Sequence, residues 1–176
     1  SLALTFSGYD NLNPETSQTM IIDTLKATLN DNRIFSCYAA WEPNSYFPNT
    51  PDGASFYAFR DGSEIKLDVL NDYETYNVGE YYAESKKTLK PHVTEPYSYT
   101  LTTGEVVWLI SISNPILDKN GKFVGVTNCD ILTDTINNLD YNMGGYKTAY
   151  SYILTNNGNY IAHSSDKSKS GTLYSE

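Results

Sequence analysis

Two features of the sequence carry chemistry. The first is Asp130, at the end of the string VGVTNCDI. Strand alternation sets it on one face with Val124, Val126 and Asn128. A charge at the end of a largely apolar strand needs a partner. That partner is a backbone donor or a lysine, an N-cap role for the segment that follows, or an N–H or ammonium group of a ligand. The second feature is the stretch NDYETYNVGEYYAES, residues 71–85, which holds Tyr73, Tyr76, Tyr81 and Tyr82 around Gly79. A core favours Leu, Ile and Phe, and a plain surface loop favours Ser, Asn and Lys. Tyrosine suits a wall with an apolar face and a polar tip beside something that comes and goes.

Other chemistries lack their residues. His92 and His163 stand far apart without motif partners, and the chain has no GxSxG, HExxH or phosphate-binding loop. DKNG, residues 118–121, lacks the remaining ligands of a calcium loop and reads as a turn. Cys37 and Cys129 form no CxxC or Cys/His cluster, so no zinc site is expected; they read as buried thiols or as a disulfide. The expectation is a protein that is not an enzyme, with no metal and no cofactor. A net charge of −9 argues against nucleic acid as a partner.

At 176 residues the chain has room for one ordinary domain or one and a half smaller modules. No apolar run approaches the roughly 20 residues of a membrane span. SLALTFSGYD has neither the basic start nor the long apolar stretch of a signal peptide. The chain reads as a piece of a longer protein.

The elements that must position these residues follow from pattern. NPETSQTMIIDTLKATLNDN predicts a helix, with Asn13 as N-cap, Pro14 at the first position, and Ile21, Leu25 and Leu29 as its apolar stripe. IFSCYAAW (34–41) predicts a strand with Phe35, Cys37, Ala39 and Trp41 on one face and Ser36 and Tyr38 on the other. ASFYAFRDG predicts a short aromatic strand. EIKLDVL predicts a half-buried strand with Ile65, Leu67 and Val69 inward. VGEYYAESKK suits one or two helical turns, and TEPYSYTL reads as extended. EVVWLISIS is apolar on both faces, as a central strand would be. A hairpin turning at 118–121 returns through residues 122–131, LTDTINNLDYNMGG reads as helix or connector, and a second hairpin turns at Asn156-Asn157-Gly158. The order gives an α+β domain with helices on one face of a mainly antiparallel sheet.

Three strings, YAAWEPN, DYETYNVGEYY and EPYSYTLTTGEVVWLISISNPILDKNGKFVGVTNCDI, resemble the extracytoplasmic double Cache sensor domain of bacterial chemoreceptors and sensor kinases. The resemblance covers roughly residues 14–131, and YSYILTNNGNYIAH is similar to the opening strands of that family's membrane-proximal module. It implies a PAS-like, mainly antiparallel sheet of about five strands beside a long N-terminal helix, plus the start of a second PAS-like module. The implied organisation is a helical region over 1–33, a membrane-distal ligand-binding module over 34–145 and a partial proximal module over 146–176. The resemblance also implies a periplasmic or extracellular location, membrane helices outside this chain, and a small molecule held between the sheet and the tyrosine wall. A homodimer is one arrangement open to the full receptor.

The amino-acid-sensing branch of that family carries an Arg two residues before a Trp-Tyr pair, a Tyr and an Asp in a PYxD string, and a final strand-end Asp. At the matching positions this sequence has Gly79 for the Arg, Tyr81-Tyr82 for the pair, Pro96-Tyr97-Ser98-Tyr99 for PYxD, and Asp130. A planar guanidinium is the natural clamp for a ligand carboxylate. Its absence, with only Arg33 and Arg60 in the chain, disfavours an α-amino acid. Rings plus one carboxylate suit an amine or quaternary ammonium, at about 0.5–2 kcal/mol per cation–π contact. They equally suit a neutral N–H heterocycle such as a nucleobase. The expected ligand-binding residues are Trp41, Tyr57, Tyr73, Tyr82, Tyr97, Tyr99 and Asp130. Trp41 and Tyr57, like Phe59, also fit a core role. The rivals are an amino-acid sensor with a different carboxylate clamp and a surface interaction module that uses its tyrosines as an interface.

Overall fold

The architecture follows from an apolar helix stripe laid on one face of an antiparallel sheet. It is seen in a computed structural model that describes residues 2–7, 13–70, 72–101, 104–139, 145–146 and 148–175. A short helix α1 (Leu2–Phe6) precedes α2 (Pro14–Thr28). The start of α2 is built as the sequence requires: Asn13 is extended, and its side chain accepts a hydrogen bond from Thr16 N at 2.9 Å, with Pro14 opening the helix. Past the other end, the Arg60 guanidinium donates to the carbonyl of Leu29, the C-cap residue, and to those of Asp31 and Ile34 in the segment that follows. Ile21, Leu25 and Leu29 are fully buried, as their spacing predicts.

The remaining elements are β1 (Ser36–Trp41), β2 (Ala54–Asp61), β3 (Glu64–Leu70), α3 (Tyr73–Tyr76), α4 (Glu80–Thr88), β4 (His92–Val93), β5 (Tyr97–Thr100), β6 (Val106–Leu117), β7 (Phe123–Leu132), α5 (Thr133–Asn137), β8 (Tyr152–Leu154) and β9 (Tyr160–His163). The chain forms two compact units, discontinuous in sequence: Ser1–Val93 with Ile112–Asp130, and Thr94–Ser111 with Ile131–Glu176. Residues 94–111, which the sequence reading grouped with the distal module, fall in the second unit.

In the first unit the strand order is β3-β2-β1-β7-β6-β4. Cys37, Ala39 and Trp41 of β1 and Ala54, Phe56 and Ala58 of β2 face the α2 stripe and form the main core with Phe6 and Ile116. The opposite face holds a second cluster of Tyr38, Ala40, Tyr76, Tyr82, Phe123 and Val126. β1 is buried along its whole length because both of its faces are covered. β3 differs from expectation: Leu67 and Val69 are 40% and 45% exposed, because β3 is the edge strand and only Ile65 packs on the core. The Asp118 turn is as read: its side chain accepts from Asn120 N and Lys122 N, and Gly121 takes the positive φ of 80°.

In the second unit β5 pairs with the first half of β6, setting Tyr97 opposite Leu109 and Tyr99 opposite Val107. There β6 exposes Val106 and Trp108, so this half is not the both-sides-buried strand its composition suggests. β8 and β9 form the second hairpin, with Gly158 at φ 84°. His163 is buried there, its ring stacked 4.8 Å from that of Tyr150. The connector is described only in part: α5 follows β7 directly and packs on β9, and residues 140–144 lie outside the described residues.

Candidate ligand-binding site

Register gathers the polar residues of the first unit onto one face. β1 pairs with β7 through Ser36↔Asp130 and Tyr38↔Asn128, and with β2 through Ser36↔Phe59 and Tyr38↔Tyr57. Side chains of paired residues point the same way. Ser36, Tyr38, Tyr57, Phe59, Asn128 and Asp130 therefore share the face opposite α2. Ser36, Asn128 and Asp130 are all buried. Ser36 Oγ donates to Asp130 Oδ2 at 2.5 Å, and Asn128 Nδ2 donates to Asp130 Oδ1 at 2.6 Å. That orientation leaves Asn128 Oδ1, an acceptor, with no hydrogen-bond partner among the described residues. A buried acceptor without a donor costs about 1–3 kcal/mol, a cost that a donor brought by a ligand would remove.

α4 supplies the wall. Tyr81 meets the Tyr38 ring edge to face, with centroids 5.2 Å apart. Burial pushes the Tyr81 phenol pKa up, a hydrogen bond with Tyr38 opposes this, and the negative charge of Asp130 adds to the rise. Tyr81 also explains Gly79. A Cβ at position 79 would lie 2.5–3.0 Å from the Tyr81 ring and hydroxyl. The ring occupies the space where a side chain at 79 would begin. A side chain there would have to displace the Tyr81 ring from its place against Tyr38.

The other tyrosines of the segment serve a latch. Tyr82 Oη and Tyr73 Oη both donate to Glu42 Oε1, at 2.6 and 2.9 Å, and Lys86 Nζ donates to Glu42 Oε2 at 2.8 Å. Tyr76 Oη donates to the Trp41 carbonyl at 2.6 Å. The rings of Tyr73, Tyr76, Tyr82 and Phe123 pack on one another at 5.5–6.2 Å. Burial of Glu42 opposes its charged form, but hydrogen bonds from Lys86, Tyr82 and Tyr73 outweigh it, and its pKa falls below the ordinary glutamate value. The segment is tied to the end of β1 by a carboxylate that the sequence reading did not single out.

The expected site residues thus separate. Asp130 and Tyr57 lie on the polar face, Tyr57 stacked on Phe59 at 5.1 Å. Trp41 is on the other face by strand parity, packed against Tyr46 at 4.8 Å and against Phe6 and Phe56, so the core role is the one it takes. Tyr73 and Tyr82 direct their hydroxyls to Glu42. Successive helix residues point about 100° apart, so Tyr81 faces Tyr38 while its neighbour Tyr82 is fully buried in the latch. Tyr97 and Tyr99 belong to the second unit, where Tyr97 Oη is hydrogen-bonded to Ser111 Oγ at 2.8 Å and Tyr99 is exposed. Ser36, Tyr38, Tyr81 and Asn128 were missed, although alternation from Asp130 already pointed to Asn128. Both arginines are engaged elsewhere in the first unit, Arg33 with Asp31 at 2.6 Å and Arg60 at the end of α2. Among the described residues no group of His, Cys, Asp and Glu could hold a metal ion.

The mainly antiparallel sheet beside an N-terminal helix is a PAS-like fold of the kind found in sensor domains. The chain belongs to the methyl-accepting chemotaxis protein-like first PDC sensor domain family, whose profile matches residues 21–138. Similar solved structures include the extracellular domain of mmHK1S-Z2, described as a histidine kinase, at TM-score 0.74 and 21% identity over 97% of this chain and 65% of that one. Methyl-accepting chemotaxis protein X is similar at TM-score 0.71 and 24% identity over 98% and 68%. The ligand-binding domain of the Campylobacter jejuni chemoreceptor Tlp3, in complex with L-valine, is similar at TM-score 0.63 and 17% identity over 98% and 63%. The chain spans 65% and 63% of the length of the mmHK1S-Z2 and mmHK1S-Z3 domains. No curated protein matches it by sequence. Among the described residues no helix is long and apolar enough to cross a membrane.

Proposed function

We propose that the chain is the extracytoplasmic, non-enzymatic sensing domain of a transmembrane signalling receptor. Its ligand is a small nitrogen-containing molecule, either a protonated amine or a neutral N–H heterocycle of nucleobase type. The observation that carries this reading is the Ser36–Asp130–Asn128 cluster: a buried carboxylate and a buried amide oxygen side by side, on a face lined by the rings of Tyr38, Tyr57 and Tyr81. The Asn128 amide oxygen beside a negative carboxylate suits a ligand with an N–H donor or a positive charge, and the rings supply π faces for a cation or a flat heterocycle. Ligand binding would lift Tyr81 from Tyr38 and bias the position of α4, shifting an equilibrium between two states of the wall.

The Tlp3 complex makes an amino acid the alternative ligand. An α-carboxylate calls for a cation, and the two arginines of this chain are engaged elsewhere. Thermal-shift measurement against amines, nucleobases and α-amino acids separates the readings. Stabilisation by an amine or a nucleobase, abolished by Asp130→Ala in a protein that still unfolds cooperatively, is the expected result. Stabilisation by α-amino acids alone would overturn it.

A further inference from the structure

Cys37 and Cys129 are partners in the antiparallel register of β1 and β7, directly opposite one another. Glu42 N donates to Val124 O across the same pair of strands at 3.0 Å. Counting back in twos along that register makes Ala40/Val126, Tyr38/Asn128 and Ser36/Asp130 hydrogen-bonded pairs. Cys37/Cys129 then falls at a non-hydrogen-bonded position. The β1–β2 ladder agrees: Arg60 N donates to Phe35 O at 3.1 Å, so the odd-numbered residues of β1 turn their backbone groups toward β2. Non-hydrogen-bonded pairs bring Cα atoms to about 4.5 Å, with their side chains closer than in the bonded pairs. A disulfide accepts Cα separations of about 4.4–6.8 Å. Both side chains pack in the α2-facing core, so they project to the same side of the sheet. Both are free thiols in this structure, with Cys37 Sγ donating to Leu25 O at 3.3 Å.

From this geometry we infer that Cys37 and Cys129 form a cross-strand dithiol–disulfide pair that clamps β1 to β7. The bridge would lie one residue from Ser36 and one from Asp130, and so would fix the spacing of the polar floor on the other face. Its oxidation in the cell rests on the extracytoplasmic location proposed above, since disulfides persist in oxidising compartments. The geometry does not depend on that reading.

The chemistry is thiol–disulfide exchange with a low-molecular-weight or protein disulfide as the oxidant. Cys129 is the entry point because it is half-buried, whereas Cys37 is fully buried. Burial pushes the Cys129 thiol up to about 11 and Cys37 higher still, so exchange is slow in the folded protein and faster while the chain is folding. The Cys129 thiolate attacks one sulfur of the oxidant, breaking its S–S bond and releasing one thiolate. The Cys37 thiolate then attacks Cys129 Sγ of the mixed disulfide, forming the Cys37–Cys129 bond and releasing the second thiolate. The two protons lost by the cysteines end on the two released thiols, and the oxidant takes up the two electrons.

The test is refolding of the whole 176-residue chain from denaturant with oxidised glutathione present, followed by intact mass and peptide mapping. The expected product is lighter than the reduced chain by two hydrogens, carries a peptide cross-link between Cys37 and Cys129, and unfolds about 5–10 °C higher than the same protein with dithiothreitol added. Cys129→Ser and Cys37→Ala should each lose both the cross-link and the redox-dependent shift. Two alkylatable thiols or only glutathione adducts after refolding would overturn the inference, as would a cross-link that leaves the unfolding temperature unchanged or lower. None of these outcomes depends on where the receptor resides or on what it binds.

Discussion

Tyr82 Oη donates to Glu42 Oε1 at 2.6 Å from a ring with no solvent exposure. This contact joins α4 to the end of β1, and Tyr73 and Lys86 converge on the same carboxylate. Tyr73, Tyr76 and Tyr82, which the sequence offers as a ligand surface, pack on one another and direct their hydroxyls to Glu42 and to the Trp41 carbonyl. Burial pushes the phenol pKa of Tyr82 well up, so it remains a neutral donor across ordinary pH.

Replacing Tyr82 by Phe removes the hydroxyl but keeps the ring against Tyr76 and Phe123. The expected loss is about 1–2 kcal/mol of folding stability. Denaturant midpoints check it. A loss near zero would show that Lys86 and Tyr73 alone satisfy Glu42.

Glu42 gives that latch a pH dependence of known sign. Its folded-state pKa is depressed, so its contribution is fully present above the ordinary glutamate value and disappears as pH falls through the lower folded-state value. The Lys86 pKa is raised: burial opposes its charge, and the bonds to Glu42 and Tyr73 outweigh that, so both partners report the same pairing. The stability gap between the wild type and Glu42→Gln should be widest near neutrality and should close in acid. Urea unfolding at a series of pH values measures it, and the difference between the two proteins cancels the surface aspartates Asp31, Asp118 and Asp166, whose pKa values are also lowered. A gap that widens in acid would reverse the assignment.

Gly79 and Tyr81 form a steric pair, because a Cβ at 79 would sit 2.5 Å from Tyr81 Cε1. Gly79→Arg is expected to force the Tyr81 ring away from Tyr38 and to cost about 1–3 kcal/mol. The obstacle is a side chain, not backbone, so Tyr81→Ala should relieve it. In a double-mutant cycle the two changes should be non-additive by roughly 1 kcal/mol or more. Additive losses would mean that the ring moves aside freely.

The sequence carried the scaffold further than the site, for physical reasons visible at single residues. The α2 boundaries were legible from Asn13, Pro14 and the Ile21–Leu25–Leu29 stripe because capping and helical periodicity are local. The face of each β1 residue was legible from alternation, which groups Trp41 with Cys37 and Ala39. The registers Ser36↔Asp130 and Tyr38↔Tyr57 were not, since they join residues far apart in the chain and no local rule fixes them. Choosing between Tyr81 and Tyr82 required the orientation of α4, although Tyr82 and Ser85, three residues apart and both buried, mark its inner side in retrospect. Glu42 escaped notice because a carboxylate after a strand looks like a loop residue until its three donors are assembled around it.

Gly125 sets the approach of the two strands that carry the polar floor, and it provides the sharpest stability test. It pairs with Trp41, and a Cβ there would fall 2.3 Å from the Ala40 carbonyl oxygen and 3.0 Å from Trp41 Cα. Both are backbone atoms of a buried strand, which cannot swing aside as a side chain can. Gly125→Ala must therefore push β7 from β1 or twist the pair locally, at a cost of about 2–3 kcal/mol. The comparison is Gly62→Ala, where φ is +64° but no atom lies within 4 Å of the added methyl, so only backbone strain of about 1–2 kcal/mol applies. The first variant should also loosen the Ser36–Asp130 and Asn128–Asp130 bonds, which lie along the same strand pair, while the second leaves them intact. Denaturant unfolding ranks the two losses, and amide exchange along Ser36–Trp41 locates them. Equal losses with unchanged exchange in β1 would show that the β1–β7 spacing relaxes without effort, and that the glycine is there for its backbone freedom alone.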